Sequence, residues 1–295
     1  MKVLVTGSSG FIGQSLCSFF LSKGYEITHL KRGKKGPLQK NSIYWNPETG
    51  EGNVADFEGF DAVIHLAGES LAQGFWTQAK KQRILESRKL GTERLVALLK
   101  KTEFPPKVFL STSAIGYYGS RKDPMTENEE PGKGFLSEVC QAWEKASFPL
   151  RDKGVRVVYA RLGLVLSRKG GILKALLPLF QLGFGGRLGD GKQIVSWVAL
   201  EDVIKAFDYI LREESMVGPV NVVSPNPVLQ EQFAEILCSV LDRPCFFKIP
   251  KWLIFGEKAE ALILSSVKVI PAALLKAGFS FSYPDFEKTL CYLLK

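Results

Sequence analysis

The chain of 295 residues holds only two histidines and five cysteines, and each scarcity removes a class of chemistry. His29 and His65 both fall inside strand-like runs, "YEITHLKR" and "DAVIHLAG", where ordinary strand packing is their expected role. No second histidine or acid stands at metal-ligand spacing and no nucleophile elbow occurs, so no metal is expected and a Ser-His-Asp hydrolase is disfavoured. Cys17, Cys140, Cys238, Cys245 and Cys291 are odd in number, lie in apolar surroundings and form no C-x-x-C pair. They read as reduced core thiols of a cytoplasmic protein. No apolar stretch approaches the roughly 20 residues that cross a bilayer, so no membrane partner is expected. The opening "MKVLVTGSSG" is too short an apolar run for a signal peptide and reads as a strand entering a glycine turn. Internal repeats and low-complexity linkers are also absent.

What the chain does have is positive charge, a formal +9. Its location decides its meaning. Residues 31–40 carry Lys31, Arg32, Lys34, Lys35 and Lys40 with no acid, and residues 80–101 carry eight cations against Glu86 and Glu93. These two segments hold +5 and +6, which leaves the remainder of the chain at −2. A surplus so localised points to a defined anionic ligand rather than to a nucleic acid spread over a basic surface. Neither segment interleaves the aromatics of a single-strand platform.

Strand and helix patterns alternate. "KVLVTG", "YEITHLKR", "DAVIHLAG", "KVFLSTS" and "VRVVYARLGLVL" are β-rich runs separated by helical patterns, among them "FIGQSLCSFFLSKG" and the long stretch from Thr77 to Lys101. The order predicts an α/β fold, a Rossmann-type doubly wound parallel sheet with a smaller, mostly helical C-terminal region on the substrate side. Residues 1–166 with 196–225 form the expected dinucleotide-binding domain, and 167–195 with 226–295 the smaller one.

"VTGSSGFIG" sets Gly7, Gly10 and Gly13 where the first strand meets the first helix, with Phe11 and Ile12 opening that helix. Gly7 permits the turn, Gly10 lets a pyrophosphate approach the backbone, and Gly13 lets helix and strand pack closely. The anion would rest on the free N–H groups and positive dipole of the helix N-terminus. The second strand then ends in "LKRGKKG", with no Asp or Glu between Glu26 and Glu48. NAD sites place an acid there for the ribose 2′-OH, whereas a cation suits a 2′-phosphate. The pattern therefore predicts NADP(H), with Arg32 as the selecting fork and Lys31 as its helper.

On the helix from Thr77, Ile84, Gly91, Leu95 and Leu99 form the inward stripe. At helical spacing Arg88 falls about 40° from Ile84, in the middle of that stripe. A buried guanidinium requires an anion, either an acid on a neighbouring element or a phosphate of the cofactor. The phosphate is the favoured reading, because Gly91 beside it suggests close backbone approach.

Taken together, "VTGSSGFIG", "DAVIHLAGES", "RKLGTERLVALLK", "FLSTSAIGYYG", "ARLGLVLSRKGG" and "KVIPAALLKAGFSFSYPDFEKTL" resemble, in order, an atypical branch of the extended short-chain dehydrogenase/reductases. That branch is the NAD-dependent epimerase/dehydratase-like, or sugar-nucleotide-epimerase-like, family with a small C-terminal domain of unknown function, here from about Pro225. The resemblance implies that Leu66, Ala67 and Gly68 line the cofactor, that Arg32 and Arg88 meet its phosphates, and that Arg83 lies close by. It further implies that Ser113 assists catalysis, that Arg161 borders the nicotinamide and substrate, and that Glu69 is a polar contact. Extended members also dimerise through the helix that carries their catalytic pair, which makes a homodimer an expectation.

That pair is Tyr-x-x-x-Lys, and here it is missing. In "FLSEVCQAWEKAS" Phe135 or Leu136 takes the tyrosine's place and Val139 or Cys140 the lysine's, and no tyrosine occurs from Gly119 to Val158. "YYGSRK" does present Tyr118 and Lys122 at the right spacing, but glycines and Pro124 around them argue against a shared helix face. Tyr117 and Tyr118 remain candidate substrate contacts, which with Ser113 would polarise a carbonyl. The resulting expectation is an NADP(H)-dependent oxidoreductase or epimerase-like enzyme acting by hydride transfer on a carbonyl or nucleotide-sugar substrate. The alternative is a non-catalytic NADPH-binding scaffold or redox sensor working through a protein partner, related to cell division as some relatives' labels suggest.

Overall fold

The computed structural model describes residues 1–32, 41–249 and 265–295. Lys34, Lys35 and Lys40 of the first basic segment lie outside the described residues, as does the side chain of Lys122. The central sheet is built from β1 (Lys2–Thr6), β2 (Glu26–Lys31), β3 (Ser42–Tyr44), β4 (Ala62–His65), β5 (Val108–Ala114), β6 (Arg156–Leu162) and β7 (Gly218–Val222). Helices α1 (Phe11–Ser22), α2 (Gln78–Leu99) and α3 (Phe135–Ala146) alternate with these strands. The strand order is β7-β6-β5-β4-β1-β2-β3, and parallel pairing runs from β3 through β2, β1 and β4 to β5. This is the doubly wound parallel sheet that the sequence predicts.

The strands read as continuous apolar runs because helices cover both sheet faces. Val3, Leu4 and Val5 on β1 and Ala62, Val63 and Ile64 on β4 are all fully buried. Leu95 and Leu99 of α2 pack with Leu4, Val63, Phe109 and Val157 of the strands in one core cluster. Helix α2 starts where Thr77 accepts a hydrogen bond from the Lys80 amide at 3.2 Å, an N-cap that frees the chain from the preceding loop. The order reverses between β1 and β4, so the loops at their carboxyl ends border the crevice where open α/β sheets bind ligands.

The chain divides into two compact units. The first comprises Met1–Ala114, Glu138–Arg161 and Phe207–Val220. The second comprises Ile115–Ser137, Leu162–Ala206 and Asn221–Lys295. It has its own apolar core, in which Leu173 and Phe180 of helix Gly171–Gln181 meet Trp197, Phe233 and Phe286. Two short strands depart from the expected pattern. Strand Arg121–Met125 pairs in parallel with Val267–Val269, although "RKDPM" carries three charges and a proline. A proline is tolerated there because each strand of a two-stranded ribbon is an edge. Strand β3 was equally silent in the sequence, since three residues cannot display a period. Among the described residues no helix is long and apolar enough to cross a membrane.

Candidate functional site

All the residues expected to hold a dinucleotide, together with Ser113, lie in the first unit. At the end of β1, Gly7 adopts a left-handed conformation with φ of 65°, and a Cβ there would stand 2.9 Å from the Leu66 carbonyl carbon. The turn therefore runs against the loop that leaves β4. A Cβ on Gly13 would lie 2.3 Å from the Gly7 carbonyl oxygen, which no shift of a side chain could relieve. Gly10 is the N-cap of α1, with no side-chain cap and no acid in the first turn. The first turn of α1, Phe11 and Ile12 included, therefore carries no acid of its own, and the sign of the helix N-terminus suits an anion such as a pyrophosphate.

The loop after β4 is held by a buried hydroxyl–imidazole–hydroxyl chain. Thr6 Oγ1 accepts from the amides of Leu66 at 3.0 Å and Ala67 at 3.1 Å, which fills its lone pairs. Its proton must then go to His65 Nδ1, 2.8 Å away, so the ring proton sits on Nε2 and is donated to Thr92 Oγ1 at 3.0 Å. Burial pushes the His65 pKa down from 6.5 to about 4, with the Arg88 charge adding to the effect. A neutral His65 therefore fixes the backbone of Leu66 and Ala67, whose amides are committed and unavailable to a ligand.

Arg88 is buried as its position on the α2 stripe requires. Its guanidinium donates to the carbonyls of Glu69 at 3.1 Å and Ile84 at 3.2 Å and stands 5.0 Å above the Trp143 ring. Among the described residues it forms no ion pair, so the internal salt bridge weighed from the sequence is not what satisfies it. Burial holds its pKa below the usual guanidinium range. No carboxylate contacts it among the described residues, and Glu69 offsets its charge only at a distance. Gly68 explains how it fits, since a Cβ there would approach Arg88 Cζ to 3.2 Å. The close approach belongs to Gly68 rather than to Gly91, where a Cβ would meet nothing within 4 Å.

Further out, Glu69 pairs with Lys80 at 2.6 Å, and its carboxyl is held below the usual range by Lys80 first, then by the charges of Arg83 and Arg32. Arg32, exposed at the end of β2, and Arg83, exposed on α2, thus share one electrostatic neighbourhood. Lys31 is half-buried on β2. Three cations act on this single carboxylate, so the neighbourhood keeps a surplus of positive charge.

The network around Ser113 departs from the expected roles. Arg161, 3% exposed, grips Glu144 with Nε to Oε1 at 2.9 Å and a terminal nitrogen to Oε2 at 2.8 Å. Ser113 Oγ donates to the same Glu144 Oε1 at 2.7 Å. The Ser113 hydroxyl, expected to polarise a carbonyl, thus has an internal acceptor in Glu144. Arg161 is likewise saturated on one side by a carboxylate. Cys140, one of the two residues the sequence offers at the missing lysine's place, is a buried thiol pushed up to about 11 by desolvation, and neither it nor Val139 supplies a lysine's charge. Glu144 went unnoticed in the sequence, although it sits one turn beyond Cys140 on α3. The test that exposed Arg88, a charge on an apolar stripe, applies to it equally.

In the second unit, Tyr118 is fully buried and its hydroxyl donates to Asn221 Oδ1 at 2.7 Å. Asn221 is fixed in turn by its amide to Glu127 Oε1 at 3.0 Å and by Nδ2 to the Ile270 carbonyl at 2.9 Å. This corrects the expectation of a substrate contact for Tyr118, which is a core residue. Tyr118 closes a short 3-10 turn over Ile115–Tyr118 and Lys122 lies on the following strand, so the two share no helix. Tyr117 is half-buried and packs edge-to-face on Tyr118 with centroids 5.4 Å apart.

Comparison with known proteins accords with this geometry. Residues 3–223 match the NAD dependent epimerase/dehydratase family model, and residues 249–293 match a domain of unknown function (DUF1731), a later start than Pro225. Epimerase family protein Mb2239 of Mycobacterium bovis is 36% identical over 294 residues, covering 98% of this chain and 96% of its own. The crystal structure of human epimerase family protein SDR39U1 (isoform 2) with NADPH superposes with a TM-score of 0.90 at 30% identity, covering 99% of both chains. A nucleoside-diphosphate sugar epimerase from Corynebacterium glutamicum gives 0.83 at 32% identity, covering all of this chain and 58% of that one. The chain belongs to the NAD dependent epimerase/dehydratase family.

Proposed function

We propose that this chain binds NADP(H) and acts by hydride transfer on a carbonyl or nucleotide-sugar substrate. The observation that carries the cofactor choice is the end of β2, where Lys31 and exposed Arg32 stand in place of the acid that an NAD site requires. The first-turn amides of α1 would take the pyrophosphate, and Arg32 with Arg83 the 2′-phosphate. Leu66, Ala67 and Gly68 would line the adjoining wall, where Arg88, with no carboxylate in contact among the described residues, would favour a bound anion. The NADPH in the human SDR39U1 crystal structure supports this reading. The nicotinamide would supply or accept the hydride. The protein's part is to orient it with the β1 and β4 loops.

A second reading, a non-catalytic NADPH-binding scaffold or redox sensor, is favoured by one specific observation. The hydroxyls of Ser113 and Tyr118 both donate to internal acceptors, and helix α3 carries no tyrosine or lysine at the place of the usual pair, where Phe135 or Leu136 and Val139 or Cys140 stand. Following NADPH oxidation across a panel of carbonyl compounds and nucleotide sugars separates the two. Turnover of any member supports the enzyme. Tight NADPH binding with no turnover across the panel supports the scaffold.

A further inference from the structure

In the sequence Cys238 and Cys245 stand as separate thiols, seven positions apart. The fold brings them together inside the second unit. Cys238 lies near the end of helix Gln230–Val240, which stops in a tight reversal. Asp242 takes a left-handed φ of 53° there, its amide donates to the Ser239 carbonyl at 3.1 Å, and the Arg243 amide donates to the Cys238 carbonyl at 2.9 Å. Arg243 Nε then ties the returning chain to the Gln181 carbonyl at 2.7 Å. Cys245 thereby packs against the same apolar cluster as Cys238, and the two free thiols are hydrogen-bonded to each other. Cys238 is 2% exposed, whereas Cys245 is half-buried. Burial first, and then the Cys245 thiol, push the Cys238 pKa up to about 12, so Cys238 keeps its proton and directs it at its neighbour.

We infer that Cys238 and Cys245 form a reversible oxidation site, in which a peroxide reacts at Cys245 and Cys238 resolves the product as an intrachain disulfide. Cys245 attacks one peroxide oxygen as its thiolate. The O–O bond breaks, hydroxide leaves, and the sulfur is oxidised to a sulfenic acid. The Cys238 sulfur then attacks that of Cys245, the S–O bond breaks, and the departing hydroxide takes the Cys238 proton away as water. In sum the two thiols lose two electrons and two protons, and one hydrogen peroxide becomes two waters. An S–S bond of about 2 Å needs only a short approach from side chains already in contact. The burial of Cys238 sets the order of the steps, since only Cys245 is open to the oxidant. No residue assigned to the cofactor takes part, so the inference is independent of the dinucleotide reading.

Peptide mapping of the full folded chain tests it. The chain is exposed to hydrogen peroxide, quenched with catalase, unfolded in iodoacetamide and digested with trypsin. Because trypsin spares an Arg–Pro bond, both cysteines fall in one peptide ending at Lys248, while Cys291 falls in the peptide Thr289–Lys295. The first peptide should come out lighter by about 2 Da and lose both alkylation sites, and dithiothreitol should restore them. Cys238→Ala should instead leave Cys245 as a sulfenic acid that dimedone traps, and Cys245→Ala should leave Cys238 fully alkylated. If either variant fails to fold, the wild-type map decides. Two alkylated thiols after peroxide, a sulfinic acid at Cys245 beside a reduced Cys238, or a disulfide joining Cys291 to either cysteine would overturn the inference.

Discussion

Lowering the pH should cost this protein stability through one residue, His65, by an amount the structure sets. Its ring is fully buried, with Nδ1 accepting from Thr6 and Nε2 donating to Thr92, and no acceptor remains for a second ring proton. The unfolded chain protonates His65 near 6.5 and the folded chain only near 4. Between those values the unfolded state binds more protons, so this stability is fully present above pH 6.5 and is lost as pH falls toward 4. At pH 4.5 the loss works out at about 2.5 kcal/mol, on the rule that one pKa unit is worth roughly 1.4 kcal/mol. Urea unfolding at intervals from pH 7.5 to 4.5 would measure it, with His65→Gln as the reference that lacks the titrating ring. Carboxylates and His29 titrate in both proteins and cancel in the difference. The variant should be less stable at pH 7.5 and should close the gap by about 2.5 kcal/mol at pH 4.5. Parallel curves would refute the buried neutral imidazole, and with it the argument that His65 holds the loop against the cofactor cradle.

Other perturbations read other parts of the account. Gly68→Ala brings a Cβ to within 3.2 Å of Arg88 Cζ. It should weaken NADPH binding about tenfold with little change in melting temperature, and unchanged affinity would remove Arg88 from the site. Tyr118→Phe leaves Asn221 Oδ1 without its donor. It should cost about 1–2 kcal/mol of unfolding free energy while NADPH affinity holds, and a loss of affinity without a loss of stability would return Tyr118 to the site.

Much of the fold was legible because the strands are buried on both faces and read as unbroken apolar runs. The glycine turn was legible because Gly7 and Gly13 have no alternative there: one needs a positive φ and the other has no room for a Cβ. Arg88 showed itself as a charge on an apolar stripe, yet which atoms would satisfy it was out of reach. Carbonyls of Glu69 and Ile84 and the ring of Trp143 carry no pattern in the sequence. The tyrosines of "YYGSRK" misled for a related reason. A hydroxyl's partner is chosen by the tertiary fold, and Asn221 lies 103 residues from Tyr118. The trio of Ser113, Glu144 and Arg161 was hidden likewise, being drawn from β5, α3 and β6.

The most direct test of the central claim compares NADPH and NADH as stabilising ligands of the wild type and of Arg32→Glu. A ligand at 100 times its Kd adds roughly 2.7 kcal/mol, about 5 °C in melting temperature for a chain of this size. NADPH should shift the wild type by that amount and NADH much less, and Arg32→Glu should erase the difference. Equal shifts in the wild type would contradict the role given to Arg32, and no shift with either nucleotide would contradict dinucleotide binding itself.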